Sequence, residues 1–382
     1  MRSGLIALSA LCLLTGAVEA RSPEPPPELA AIPVTLLVDL GSGQALEARR
    51  PDESFVPASM TKVMTAYVAF EEMAAGRLAA NRQFTVSSEA ARRWRGRGTS
   101  LDLSAGQRVS TDTLLHAIAT VSANDASIVL AEGYAGNVPA WARLMNAAAD
   151  KLGMANSRFA SPNGWPDGGQ TYVSARDLTK LAEAMITRHP QLYHRYFGQK
   201  TMAWNGKLLT SHDPTVGVVP GADGIKTGFT REAGYNFLGS AQRGGRRLVM
   251  VIAGARSEDQ RAAASRALLE WGFSAWTPRP LFKADVAIAD ARVQGGNARS
   301  VPLVAASPVY AVVPTGTREP IALRVVYKGP LAAPIAKGAP VAQLEVRVGD
   351  GEPGLMPLYA ARAVDVAGPV DRIINGLTGL FS

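Results

Sequence analysis

Pro57-Ala58-Ser59-Met60-Thr61-Lys62-Val63-Met64-Thr65-Ala66-Tyr67-Val68 is the stretch in which the chain changes its hydrophobic period. Upstream, residues 34–40 and 44–49 flank the turn Gly41-Ser42-Gly43 and read as a β-hairpin. From Ser59 onward the apolar residues Met60, Val63, Met64, Tyr67 and Val68 recur at i, i+3, i+4, i+7 and i+8, which predicts a helix with a core-facing stripe. Ser59 and Lys62 are three residues apart, nearly one helical turn, so they share a flank beside that stripe. A lysine held partly out of water has its charged form disfavoured and can act as a base toward a neighbouring hydroxyl.

Working outward, helical patterns follow around residues 111–134, 139–152 and 174–188, separated by Gly, Pro and Asn clusters. Strand patterns return at 224–230, 235–242 and 246–255, with Arg243-Gly244-Gly245 as the turn between the last two, and a helix over 260–272 follows. Strands at both ends with helices between them predict an α+β domain over residues 33–277. In it one mostly antiparallel sheet pairs its first hairpin with its last strands. Thr277-Pro278-Arg279-Pro280 reads as a linker, and the short β-rich runs of 281–366, punctuated by Gly and Pro, predict a small all-β sandwich domain.

The two ends differ from the rest. Arg2, an apolar run over 5–14 and the small residues leading to Ala20 form the three-part pattern of a cleavable secretory signal over 1–20. Residues 21–32, rich in Pro and Ala, read as a leader without the pattern of a packed element. At the other end Val370, Ile373, Ile374, Leu377, Leu380 and Phe381 fall on one helical face, which makes 368–382 an amphipathic helix suited to a membrane surface. The chain has 382 residues and one cysteine, Cys12, which the signal would remove. Thiol nucleophiles, Cys-ligated zinc and disulfides are thereby excluded from the mature protein. A 47% hydrophobic content is enough to fill the cores of two domains. The net charge of +8 suits an anionic partner such as a wall polymer or lipid headgroups; nucleic acid is not expected for an exported protein.

Ser59-Met60-Thr61-Lys62 alone says little. A chain of this length carries roughly one or two S-x-x-K matches and about one S-x-N by composition, but only on the order of a tenth of a K-T-G. Ser161-Pro162-Asn163 is such a spare S-x-N. What carries information is order: Ser122-Ala123-Asn124 after a helical pattern, then Lys226-Thr227-Gly228 on a strand, the trio used by penicillin-binding proteins and class A β-lactamases. The four histidines, at 116, 189, 194 and 212, lack a partnering Asp and Ser motif and read as structural or surface residues. The run Arg92-Arg93-Trp94-Arg95-Gly96-Arg97 reads as a solvated loop rather than an anion site.

With Ser174-Ala175-Arg176-Asp177, Asp223-Gly224-Ile225, Ala233-Gly234-Tyr235-Asn236 and Trp271-Gly272-Phe273 added, the sequence resembles the D-alanyl-D-alanine carboxypeptidases among the low-molecular-mass penicillin-binding proteins, over nearly the whole mature chain. The resemblance implies a penicillin-binding/β-lactamase-like transpeptidase domain, an antiparallel sheet with a helical subdomain. It implies a Ser59 acyl enzyme that releases the terminal D-Ala of a peptidoglycan stem peptide and is acylated by β-lactams. Lys62 would take the serine proton, Ser122 with Lys226 would relay a proton to the leaving amine, Asn124 would orient Lys62 or the substrate amide, and Thr227 would meet the substrate carboxylate. The backbone N–H groups of Ser59 and Phe229 would hold the oxyanion. Gly228 belongs to the same strand motif, and no metal or cofactor is expected. Family members often carry histidine where this chain has Phe229, so any side-chain contribution of that histidine is lost. A D,D-endopeptidase uses the same chemistry. A class A-like β-lactamase is disfavoured because neither Glu132 nor Glu183 has an asparagine four residues later, and a non-catalytic wall-binding protein is disfavoured by the intact motifs. The resemblance places the protein in the periplasm, on the outer face of the cytoplasmic membrane.

Overall fold

A computed structural model describes residues 23–368. Residues 25–40 and 46–273 form one compact unit; Gly41–Ala45 group with residues 274–368 in a second. The signal segment 1–20 and nearly all of the amphipathic tail lie outside the described residues.

The first unit opens with strands β1 (Val34–Asp39) and β2 (Gln44–Arg49), followed by helix α1 (Thr61–Ala74). A short strand pair, β3 (Gln83–Thr85) with β4 (Arg108–Ser110), brackets α2 (Ser88–Trp94). Helices α3 (Thr111–His116), α4 (Asn124–Ala135), α5 (Val138–Lys151), α6 (Ala175–Arg188) and α7 (Pro190–Tyr196) make up the helical middle. A second small pair, β5 (Thr201–Trp204) and β6 (Lys207–Thr210), precedes β7 (Ala222–Thr230), β8 (Gly234–Arg243), β9 (Arg246–Ala255) and α8 (Glu258–Ser274). The main sheet runs β2-β1-β9-β8-β7, so the opening hairpin pairs with the last strands, Leu36 opposite Val251 and Leu37 opposite Met250. Strand β7, which carries Lys226-Thr227-Gly228, is therefore an edge strand with one side free to face a substrate. Helix α8 packs on the sheet closely enough that a Cβ on Gly272 would lie 2.6 Å from Leu37 and 2.7 Å from Leu248.

Four expectations change. Helix α1 is not striped: residues 61–70 are all buried, and Lys62, expected beside a buried stripe, is itself 1% exposed. A helix enclosed on every side has no solvent face to define a stripe. The helix expected over 111–134 is broken. After α3 comes a π-helical turn, Ala117–Val121, and then Ser122 in the left-handed region (φ 65°, ψ 31°) before α4 begins. The supposed leader contributes to the core, since Leu29 and Ile32 are 0% and 1% exposed and Arg49 Nη1 donates to the carbonyls of both at 2.7 and 3.0 Å. Three residues of spacing on one 3-10 turn, Pro27–Leu29, is too short a pattern to register as periodicity.

The fourth correction falls in the second unit. The stretch expected to be a linker lies in strand β10 (Trp276–Phe282). This strand pairs antiparallel with β13, Pro278 opposite Val312 and Pro280 opposite Tyr310. In that two-stranded sheet the alternate prolines turn their missing N–H to the unpaired side, where no ladder bond is lost. The other strands are β11 (Ala287–Gln294), β12 (Ser300–Val304), β13 (Val309–Pro314), β14 (Ile321–Val326), β15 (Leu331–Ala332), β16 (Pro340–Val348) and β17 (Gly354–Ala360). They form a six-stranded sheet in the order β14-β16-β17-β12-β11-β15 beside the β10-β13 pair, around a core that includes Val301, Leu303, Ala311, Leu344 and Leu358.

Candidate active site

Ser59 sits in a 3-10 turn, Ala58–Met60, immediately ahead of α1. The turn is clamped from both sides. Asn236 on β8, fully buried, donates Nδ2 to Val56 O at 3.0 Å and accepts from Gly254 N at 2.8 Å, tying the approach to Ser59 to the sheet. Across from it, a Cβ on Gly228 of β7 would lie 2.4 Å from Pro57 O, so only glycine lets the edge strand approach the serine turn this closely. Gly228 in the motif is thus a spacing requirement.

One turn into α1, Lys62 Nζ lies 2.9 Å from Ser59 Oγ, 2.8 Å from Asn124 Oδ1 and 2.8 Å from the backbone carbonyl of Asn163. Two carbonyl acceptors and one hydroxyl match the two N–H donors and one lone pair of a neutral amine. Its pKa is well below the usual lysine value, first because burial disfavours the charged form and then because Lys226 is nearby; Asp125 offsets part of this. The amine is thereby suited to accept the Ser59 proton.

The break at Ser122 turns that residue toward the cleft and starts α4 at Asn124. Asn124 is held at both ends of its amide: Oδ1 receives Lys62, and Nδ2 donates to Arg97 O at 2.9 Å. Asp125 beside it accepts from Leu101 N and Leu103 N, so loop 97–103 is sewn onto the start of α4. The supposedly spare Ser161-Pro162-Asn163 belongs to the site. Pro162 O accepts from Thr65 on α1, Asn163 O accepts from Lys62, and Asn163 Nδ2 is buried without a partner. Gly164 follows with φ +71°, and a Cβ there would fall 1.8 Å from Ala58 O. A second S-x-N gave no sequence reason to prefer this role.

Ser59, Ser122, Asn124, Thr227, Gly228 and Phe229 line one cleft of 810 Å³, with Lys62 and Lys226 buried behind its wall. Lys226, 4% exposed, donates to Thr227 O at 3.1 Å; burial, then the charge of Arg261, push its pKa down to about 7, against an opposing pull from Asp213. Phe229 is 50% exposed, its ring 4.2 Å from that of Tyr235, so it forms an apolar wall. Besides Asn163 and Gly164, the cleft is lined by basic residues whose role in the site was missed from sequence, Arg261 and His212 among them. Arg261, the first, comes from α8, is 3% exposed and bonds to Glu258 at 2.8 Å, and its Nε lacks a partner. His212, in the connection between β6 and β7, is the second. No motif surrounds either, and only the fold brings them to the cleft. Arg92, Arg93, Arg95 and Arg97 are exposed and none lines the cleft, as expected of a solvated run, while Trp94 is buried and packs edge-on against Trp165, a cleft residue.

A serine beside a buried amine, on a turn between an antiparallel edge strand and a helical layer, defines the class: serine acyl enzymes of the penicillin-binding type. Residues 20–257 match the family model described as D-alanyl-D-alanine carboxypeptidase, and residues 276–366 match that of the penicillin-binding protein 5 C-terminal domain. The D-alanyl-D-alanine carboxypeptidase DacA of Haemophilus influenzae is 30% identical over 392 residues, spanning 100% of this chain and 97% of the relative. Penicillin-binding protein 5 from Haemophilus influenzae superposes with a TM-score of 0.73 at 29% identity, covering 87% of this chain and 97% of that one. Penicillin-binding protein D2 from Listeria monocytogenes in its ampicillin-bound form matches 64% of this chain and 97% of that one, with a TM-score of 0.56 and 29% identity. The chain belongs to the D-alanyl-D-alanine carboxypeptidase family of serine peptidases, peptidase S11.

Proposed function

We propose that this protein removes the terminal D-Ala from peptidoglycan pentapeptide stems through a Ser59 acyl enzyme. The observation that carries the reading is the buried Lys62 amine, held between Ser59, Asn124 and Asn163. Ser59 Oγ attacks the carbonyl of the penultimate D-Ala as its proton passes to Lys62. The oxyanion is met by the backbone N–H groups of Ser59 and Phe229, on a turn and an edge strand that the Gly228 contact keeps together. Collapse of the tetrahedral adduct breaks the C–N bond, and the proton that Lys62 took from Ser59 passes through Ser122, beside Lys226, to the leaving amine, which leaves Lys62 neutral again. Water then attacks the ester and gives a proton to Lys62, and collapse of this second adduct breaks the C–O bond to Ser59 Oγ, which takes that proton back from Lys62. Asn124 keeps the amine aimed, and Thr227 with the partly unpartnered Arg261 guanidinium receives the terminal carboxylate. β-Lactams enter the same cycle as substrates whose acyl enzyme turns over slowly.

The catalytic domain is taken to include the core residues Leu29 and Ile32 and to end at 273, and the β-rich domain to begin at 274, ahead of strand β10, and to run to 366. Export through a signal over 1–20 and residence at the outer face of the cytoplasmic membrane through 368–382 complete the proposal. None of the described helices is long and apolar enough to cross a membrane. Fluorescent penicillin should label the wild type and not Ser59→Ala; equal labelling of both, or of neither, rejects the nucleophile. Chromatography of pentapeptide digests should show free D-Ala, and preferential consumption of cross-linked dimer would move the protein to the endopeptidases.

A further inference from the structure

Resting on the carboxypeptidase reading, we propose that His212 is a further substrate-binding residue, one that completes with Thr227 and Arg261 a clamp for the terminal carboxylate of the peptide.

His212 lines the same cleft as Ser59, Thr227 and Arg261, and it is exposed to that cleft. Its imidazole makes no hydrogen bond among the described residues; only its backbone carbonyl is engaged, by Arg261 Nη2 at 3.5 Å. The surroundings are electropositive. Lys226 and Arg261 both act on the ring, and Glu258 is the one opposing charge, itself bonded to Arg261 at 2.8 Å. Asp213, the next residue, accepts through Oδ1 from Thr215 N at 2.7 Å and from Val216 N at 3.0 Å, while its Oδ2 is buried without a partner and its charge acts on Lys226 and Arg261 rather than on the His212 ring. An imidazole without a hydrogen bond among the described residues, set beside Arg261 and Lys226 in the cleft that Thr227 also lines, is suited to receive an anion. The free α-carboxylate is the one obligatory negative charge of a carboxypeptidase substrate at this end.

Protonation follows from the charges. In the protein alone the His212 pKa is lowered, first because the ring is partly enclosed by the cleft wall and then because Lys226 and Arg261 outweigh the opposing Glu258. A bound carboxylate reverses the local field and favours it. The complex then takes up a proton in the window between the lowered free value and the raised bound one, and affinity falls as pH rises through the bound value. Phe229 contributes only a ring to the same wall, so His212 is the one imidazole that lines the cleft.

The test is a cycle between this side chain and the carboxylate it is assigned. On a Ser59→Ala background, calorimetry would measure binding of a pentapeptide ending in D-Ala-D-Ala and of the same peptide as its C-terminal amide, at pH 6 and pH 8. His212→Gln should weaken the acid peptide about tenfold at pH 6, the size of one hydrogen bond to a charged group. It should change the amide by less than about twofold and abolish the proton uptake seen with two buffers of different ionisation heat. His212→Arg, a permanent cation, should keep the preference for the acid peptide and also lose the uptake. Equal weakening of acid and amide, or no effect on either, overturns the assignment, as does His212→Arg binding no better than His212→Gln. If the Ser59→Ala parent binds neither peptide while the Ser59 protein still takes up penicillin, the carboxypeptidase reading itself falls, and the clamp with it.

Discussion

Replacing Gly164 by alanine tests whether segment 161–166 is part of the catalytic machinery. Gly164 has φ +71°, and an alanine forced into that conformation costs about 1–2 kcal/mol. The larger effect is spatial. Its Cβ would lie 1.8 Å from Ala58 O and 2.7 Å from Thr61 Oγ1, whereas real Cβ contacts stay above 3.0 Å, so the segment and the Ser59 turn must part by about 1.2 Å. That movement opens the Lys62 contact to Asn163 O, now 2.8 Å, and shifts Ser59 against its base. A misplacement of this size in an acyl enzyme lowers the acylation rate by about 100-fold. Conformational strain and overpacking together should remove about 2–5 kcal/mol of stability. The control is Gly168→Ala, in the same connection at φ +69° with nothing within 4 Å of the added carbon. It carries the conformational cost without the collision. Stopped-flow acylation by fluorescent penicillin and urea melts of both variants give the comparison. Wild-type acylation by Gly164→Ala, or equal losses in the two variants, would refute the role given to this segment.

Lys226 makes stability depend on pH in a stated direction. Its folded pKa, about 7, lies below the ordinary 10.5, so between those values the unfolded chain binds more protons and stability rises with pH, by up to about 1.4 kcal/mol per unit. Urea unfolding at pH 7 and pH 9 should therefore show wild-type protein gaining on Lys226→Met; parallel shifts would mean the buried amine is charged at both. For the tail, removing residues 368–382 should move the protein from the membrane fraction to the soluble one, and unchanged partitioning would dispose of the anchor.

Much of this protein is written locally. The hairpin around Gly41-Ser42-Gly43 and the strands carrying Lys226 and Asn236 emerge from period-two patterns and turn residues, because strand pairing and turn chemistry act over a few neighbours. The Ser59-Lys62 spacing is equally local, and the ordered trio of motifs named the chemistry. What the sequence could not encode in any short window is enclosure. The stripe on α1 was a partial view of a helix whose first ten residues are all buried, and Leu29 and Ile32 joined the core without a pattern long enough to announce it. The same limit hid half of the site. Asn163, Gly164, His212 and Arg261 lie 104, 105, 153 and 202 positions beyond Ser59 in sequence, and none sits in a distinguishing motif. They reach the cleft because the β7 edge, the α4 start and the Ser59 turn meet there. Residue type and spacing decided which reaction is possible, since nucleophile and base must be close along the helix. The tertiary structure alone decided the charge state of Lys62 and Lys226, because desolvation and the field of distant residues exist only once the chain has closed around them.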